Sequence, residues 1–291
     1  MNRKFRSIKF RADSLAKIEQ MVAIVNEYQD QGLRLTARQL YYQFVSRDLI
    51  HNTPAEYKKL TALLTDARYA GLIDWQAIED RGRVPDVPSE WSSIASLVES
   101  ALYAYRLPRW SSQPTYVELW VEKQALAGVL SPIAREFHVP LMVNKGYSSA
   151  SAMFESAERI KRGCSADKPV TIFYLGDHDP SGEDMVRDIE TRLNEFGCAD
   201  LTVTKIALTM GQVDEYNPPP NPAKISDPRA KSYIEKFGDS SWEVDALPPD
   251  VLSQLIRDAF AACIDEDALD VIKTQEEKDK RWLENQLKKR R

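Results

Sequence analysis

The chain has 291 residues, 43% hydrophobic and 29% charged, with a net charge of −5. This is ordinary for a soluble globular protein with enough chain for two domains, and it excludes a polycation that holds nucleic acid by charge alone. Three widely spaced cysteines, Cys164, Cys198 and Cys263, with no Cys-x-x-Cys or Cys/His metal spacing, exclude a zinc site and a disulfide framework and fit a reducing cytoplasm. No apolar run reaches 18 residues, so no membrane partner is expected, and the N-terminus has no apolar core of signal-peptide length. Charge is unevenly spread. Residues 1–83 carry 14 Lys/Arg against 10 Asp/Glu, and residues 214–270 carry 5 against 13, so the N-terminal part is the better candidate for a phosphate backbone.

Ser14 to Gln31 reads as a helix, with Leu15, Ile18, Met21, Val22, Val25 and Tyr28 at spacings of three and four. Thr36 is an N-cap for a second helix, Ala37 to Arg47, and after the break at His51–Pro54 a third runs from Ala55 to Ala70, stopped by Gly71. Leu72 to Glu79 reads as a hairpin or wing strand. Two helices, a turn and a strand spell a winged helix-turn-helix, whose third helix would offer Lys58, Lys59, Thr61, Thr65 and Arg68 to DNA. A helical domain with a solvated charged face fits the same pattern. In the second helix Leu40, Tyr41, Phe44 and Val45 share one face, which makes Tyr41 a core residue. Tyr42 is turned about 100° away and shares the other face with Arg38, four residues earlier. A tyrosine hydroxyl beside a guanidinium suits a phosphate and a phenolate of lowered pKa. A surface or interface tyrosine is the alternative.

Residues 84–114 read as a linker punctuated by prolines, with one apolar helix at Ile94–Tyr105. Strands and helices then alternate: strand Tyr116–Val121, helix Leu126–Phe137, strand Pro140–Val143, helix Ser149–Arg162, strand Val170–Leu175, helix Gly182–Phe196 and strand Leu201–Ala207. That order predicts a parallel sheet with helices on both faces. Glu122 follows the first strand. Gly176-Asp177-His178-Asp179-Pro180-Ser181-Gly182 follows the third. Asp177 and Asp179 point to one side of extended backbone, and if the two strands are neighbours Glu122 meets them at the carboxyl edge, where open α/β sheets bind ligands. Three oxygen ligands of this kind suit Mg²⁺. Helix capping by Asp179, with Pro180 in the first turn, is the plainer reading of the same residues. Further on, Asn217–Pro222 is a stiff extended segment, Val251–Cys263 an amphipathic helix expected to pack back on the sheet, and Thr274–Arg291 a charged helix or tail.

Glu122 after one hydrophobic strand and Gly176-Asp177-x-Asp179-Pro180-x-Gly182 after another resemble a Toprim domain. The wording is closest to the A subunit of DNA topoisomerase VI, in one group with the meiotic double-strand-break transesterase. Thr36-x-Arg38-x-x-Tyr41-Tyr42 is similar to the nucleophile motif of those A subunits. Arg81-Gly82-Arg83 loosely resembles their basic segment, Lys145-Gly146-Tyr147 their Gly-containing turn, and Ser241–Leu247 a Glu-x-Glu-Ala-Leu stretch late in the A subunit. The implied fold is α/β, a winged helix-turn-helix domain (1–88) and linker (89–113) before a Toprim domain with a Rossmann-like parallel sheet (114–215). A helical extension packed on Toprim, with a charged tail, completes it (216–291).

The resemblance implies that Tyr42 is the nucleophile with Arg38 beside it and Tyr41 packing. Glu122, Asp177 and Asp179 would hold Mg²⁺, Glu122 also handling the proton of the 3′ oxygen, and Lys58, Lys59, Arg68 and Arg81 would contact DNA. The reaction would be Mg²⁺-dependent double-strand cleavage through a 5′-phosphotyrosyl link. The implied partners are double-stranded DNA, a second copy in a homodimer and a separate ATP-binding B-type subunit, in a cytoplasmic, nucleoid-associated setting. The chain is shorter than a usual A subunit and carries no Gly-rich nucleotide loop, so it resembles a minimal form. Two alternatives stay open: a Toprim metal-dependent nuclease that uses water, and a non-catalytic DNA- or partner-binding winged-helix protein.

Overall fold

The N-terminal helices form where their caps and apolar spacing direct them. A computed structural model describes residues 3–79, 87–144, 146–164 and 168–288. Helix α1 spans Ala12–Asp30, α2 Ala37–Ser46 and α3 Pro54–Tyr69. Thr36 and Gln39 make a reciprocal capping box at the start of α2, and Thr53 caps α3 with Pro54 in its first turn. Met21, Leu40, Phe44, Leu60, Leu64 and Ala67 fill the space between the three helices. Strand β1 is Leu35–Thr36, and β2 is Ile78–Glu79. Of the two readings of Leu72–Glu79, hairpin or wing strand, the hairpin is not formed. That stretch makes a 3₁₀ turn at Trp75–Ala77 and then β2, which pairs in parallel with β1, whereas a hairpin needs antiparallel strands. Arg81 and Lys145 lie outside the described residues.

Helix α4, Ile94–Ala104, is capped by Ser93 and has no buried residue. The central sheet follows: β3 (Tyr116–Val121), β4 (Leu141–Val143), β5 (Val170–Leu175) and β6 (Leu201–Ala207), in the order β4-β3-β5-β6 with every pair parallel. Alternate residues go to opposite faces, as strand geometry requires. Val117, Leu119, Val121, Phe173 and Leu175 face one core, and Tyr116, Trp120, Val170, Ile172 and Tyr174 face the other. Helix α5 (Gln124–Glu136) covers the first face, and α6 (Ala150–Gly163) with α7 (Pro180–Glu195) covers the second. Each fully buried Leu or Ile in these layers contributes about 1.5–3 kcal/mol.

Beyond the sheet come α8 (Met210–Tyr216), β7 (Asn221–Pro222), α9 (Ala230–Phe237), β8 (Ser240–Ser241), α10 (Pro249–Ala261) and α11 (Glu266–Lys288). As expected, α10 packs back on the sheet, with Leu252, Ile256 and Phe260 in the core beneath α5. The stretch before α10 also reaches the N-terminal helices: Ala246 joins their core, and Asn52 Nδ2 donates to the Pro220 carbonyl at 3.0 Å. Glu276 anchors α11, taking two hydrogen bonds from Arg109 at 3.1 and 2.9 Å. Among the described residues no helix is long and apolar enough to cross a membrane.

Candidate active site

The carboxyl ends of β3 and β5 lie side by side, because Val121 pairs with Leu175. Glu122 continues β3, its N–H donating to the Leu175 carbonyl at 2.9 Å. Its Oε2 accepts from the Asp177 N–H at 3.1 Å and faces the Tyr174 hydroxyl at 3.4 Å. The turn after β5 is too tight for any side chain at Gly182, where a Cβ would lie 2.1 Å from the Asp177 carbonyl oxygen. Asp179 caps α7, its Oδ1 accepting from the Gly182 N–H at 2.7 Å and from Ser181 Oγ at 2.8 Å. Asp177 Oδ1 accepts from Lys123 Nζ and from the Val244 N–H, each at 2.8 Å.

Glu122 and Asp177 thus meet at the strand ends. Asp177, however, is turned toward Lys123 and the segment at Val244, so its charge is met by an ammonium. Among the described residues, no three His, Cys, Asp or Glu side chains are grouped closely enough to enclose one metal ion. The Glu122 carboxyl is pushed above its ordinary range by burial and by the charges of Asp177 and Asp179.

Tyr41 is packed as expected, with its ring 5.3 Å from that of Tyr42 and its hydroxyl donating to Asn52 Oδ1 at 2.9 Å. Tyr42 departs from the sequence reading. Its ring is only 3% exposed, because the segments around Asn221 and Glu243 cover the helix face it shares with Arg38. Its hydroxyl lies among the Asn221, Arg38 and Glu243 side chains. The expected lowered pKa is not found. Burial, then the Glu243 charge, push the phenol up to about 12, and Arg38 offsets only part of this.

Arg38 Nη2 donates to Glu243 Oε1 at 2.5 Å, and Lys123 Nζ donates to Glu243 Oε2 at 3.0 Å. Burial alone would raise the Glu243 carboxyl; the Lys123 and Arg38 charges outweigh it and hold it below the ordinary range. Burial likewise works against the Lys123 ammonium, but the surrounding Asp245, Asp177 and Glu243 carboxylates keep it firmly charged. One chain of contacts therefore runs from Arg38, beside Tyr42, through Glu243 and Lys123 to Asp177. An antiparallel pair of hydrogen bonds between His178 and Trp242 (2.8 and 3.0 Å) pins the Glu243 segment onto the Asp177–Asp179 turn.

Asp245 is fully buried beside this chain. Arg38 Nε and Lys123 Nζ each stand 3.7 Å from its Oδ2, and neither of its oxygens has a hydrogen-bond partner. Burial pushes its carboxyl up to about 6 from an ordinary 3.8. A carboxyl whose pKa is higher folded than unfolded binds more protons when folded between those two values. Stability therefore falls as pH rises through that window. Relative to Asp245→Asn, the wild-type protein is expected to lose on the order of 2–3 kcal/mol between about pH 4 and pH 7. Urea unfolding of both proteins at the two pH values measures this, and parallel pH dependence would refute it.

A cleft of about 830 Å³ opens between α2–α3 and the strand ends, lined by Arg38, Tyr57, Thr61, Arg68, Glu122 and Lys123 among others. Lys58 and Lys59 are exposed on α3, with Lys59 paired to Glu56 at 2.8 Å. Arg68 is turned inward instead: it donates to the Trp75 carbonyl at 2.7 Å and stacks on the Trp75 ring at 4.5 Å. Ser149 caps α6, and Ser148 Oγ donates to Asn144 Oδ1 at 3.2 Å. Lys123, Asn221, Glu243 and Asp245 carry no functional motif of their own in the sequence. Two signals were present: Lys123 adjoins Glu122, and Glu243 and Asp245 repeat the two-residue spacing of Asp177 and Asp179. No family model matches the chain, and no curated protein matches it significantly.

Proposed function

We propose that this protein is a DNA-cleaving transesterase resembling the A subunit of DNA topoisomerase VI, with a winged-helix-like N-terminal unit and a Toprim-like sheet. The observation that carries this reading is the chain of contacts from Arg38, beside the Tyr42 hydroxyl, through Glu243 and Lys123 to the Asp177 carboxylate at the end of β5. The Tyr42 oxygen bonds to a backbone phosphorus as the bond to the 3′ oxygen breaks. The phenol loses its proton and the 3′ oxygen gains one, a transfer in which Glu122 would act. A 5′-phosphotyrosyl link and a free 3′-OH result. Arg38 steadies charge beside the attacking oxygen, and Lys58 and Lys59 face the duplex backbone. The same reading makes the active species a homodimer and adds a B-type partner subunit.

Mg²⁺ takes one or two carboxylates together with phosphate oxygens and water, so a cage of three is not required. The fit lies in Glu122, whose carboxyl is raised by burial and by two neighbouring anions, an excess of negative charge that a cation relieves. Glu122 and Asp179 would hold the ion, with Asp177 beside them on Lys123. When bound, Mg²⁺ would neutralise charge on the phosphate. The burial of Tyr42 favours a second reading, a metal-dependent nuclease in which water attacks.

Supercoiled DNA incubated with the protein and Mg²⁺, then stopped with detergent, tests the two. Cut DNA that enters a denaturing gel only after protease treatment, and that disappears with EDTA, is expected. Cut DNA that migrates freely without protease would replace the transesterase with the nuclease.

A further inference from the structure

Two cations converge on one carboxylate in this site, Arg38 Nη2 on Glu243 Oε1 at 2.5 Å and Lys123 Nζ on Glu243 Oε2 at 3.0 Å, with the Tyr42 hydroxyl beside it. A guanidinium, an ammonium and a hydroxyl around two oxygens form an anion site of the kind that binds a phosphodiester, since charge-assisted bonds to carboxylate and phosphate use the same geometry. Glu243 is held there by its segment, through the His178–Trp242 pairing and the Val244 N–H on Asp177. Arg38 and Lys123 also line the open cleft, so a ligand in the cleft approaches the same two cations that Glu243 occupies.

We propose that Arg38, Lys123 and Tyr42 form a binding site for one backbone phosphate of a nucleic acid, and that the Glu243 carboxylate fills it as an internal stand-in which the phosphate must displace. The choice of a DNA phosphate as ligand rests on the proposed transesterase. The anion site itself rests on the two cations and the hydroxyl beside them. Glu243 then serves two ends. It adds to the burial that disfavours the Tyr42 phenolate while DNA is absent, and it sets a cost that only a correctly seated phosphate offsets. Asp245 supports the arrangement from below, its charge shared between Arg38 and Lys123.

The test is fluorescence anisotropy with a short labelled duplex in EDTA, where cleavage does not interfere, over a range of salt. Glu243→Gln is expected to bind about tenfold more tightly, the equivalent of roughly one charge-assisted hydrogen bond gained. The salt dependence is expected to steepen by about 0.9 in log–log slope for the phosphate newly contacted. In a Lys123→Met background the gain from Glu243→Gln should fall to about twofold or less, the range of an exposed ion pair. Asp66→Asn removes the same charge from an exposed position on α3 and should shift affinity by less than about twofold. Glu243→Asp, which keeps the charge but shortens the reach, should give a smaller gain of the same sign and covers the case in which Glu243→Gln unfolds. Unchanged affinity and slope in a folded Glu243→Gln would overturn the site. A gain that persists in full without Lys123 would overturn it too. The affinity pattern without any protein-linked DNA would retire the transesterase and leave the anion site. Protein-linked DNA without the affinity pattern would do the reverse.

Discussion

In the proposed transesterase, Tyr42→Phe is expected to reduce protein-linked DNA by on the order of 10³-fold or more, since no other group would replace the lost nucleophile. The fold should tolerate the change. Phe keeps the buried ring and its packing 5.3 Å from Tyr41, while Arg38 and Glu243 keep their direct contact at 2.5 Å. What is lost is the hydroxyl's polar interaction with the Asn221, Arg38 and Glu243 side chains beside it, with a net stability cost of about 1 kcal/mol. For a chain of this size that lowers the melting temperature by roughly 2–4 °C. Adduct yield and thermal unfolding, measured on the same preparation, separate loss of chemistry from loss of fold. A variant that still cuts DNA at the wild-type rate would identify Tyr42 as a packing residue and water as the nucleophile.

The largest effect on stability is expected at Glu118, in the middle of β3. It is wholly buried and accepts four hydrogen bonds: from the Tyr116 hydroxyl at 2.9 Å, Trp120 Nε1 at 2.8 Å, and Arg159 Nε and Nη2 at 2.9 and 2.8 Å. A carboxylate inside a sheet is tolerable only because every neighbour donates to it. Glu118→Ala removes the acceptor, strands two buried donors and leaves Arg159 half-buried without its partner. The expected destabilisation is about 3–5 kcal/mol. Urea unfolding would detect it as a lower midpoint with an unchanged slope. A loss below about 1 kcal/mol would mean that water and Arg159 mobility replace the network. Glu118→Gln keeps an acceptor and should cost less.

The sequence and the structure agree best where a local signal is strong. Three strands, Tyr116–Val121, Val170–Leu175 and Leu201–Ala207, begin and end where their β-branched runs meet polar or glycine-bearing turns. Helices α2 and α3 begin at Thr36 and Thr53 because those side chains meet orphan N–H groups. Agreement fails where contacts span long stretches of chain. Tyr42 reads as outward-facing from its helix alone, yet Asn221 and Glu243, about 180 and 200 residues later, cover it. Burial then reverses the pKa direction that the neighbouring Arg38 alone would set. Asp177 shares a side with Asp179 in the sequence pattern, but Lys123 and the Val244 N–H draw it away. Leu72–Glu79 has strand-like composition and still forms a 3₁₀ turn, because its last two residues pair in parallel with β1. The acids at Glu243 and Asp245 repeat the spacing of Asp177 and Asp179, but nothing local says what they face. Only the fold brings that stretch against α2.

The most direct test of the proposed transesterase is the chemical identity of the protein–DNA link. Cleavage would be run with Mg²⁺, stopped with detergent, and the DNA trimmed with nuclease before proteolysis and mass spectrometry. A nucleotide attached through its 5′ phosphate to the peptide containing Tyr42 is the expected result. Cut DNA with no modified peptide, or a nucleotide on any other residue, would contradict it.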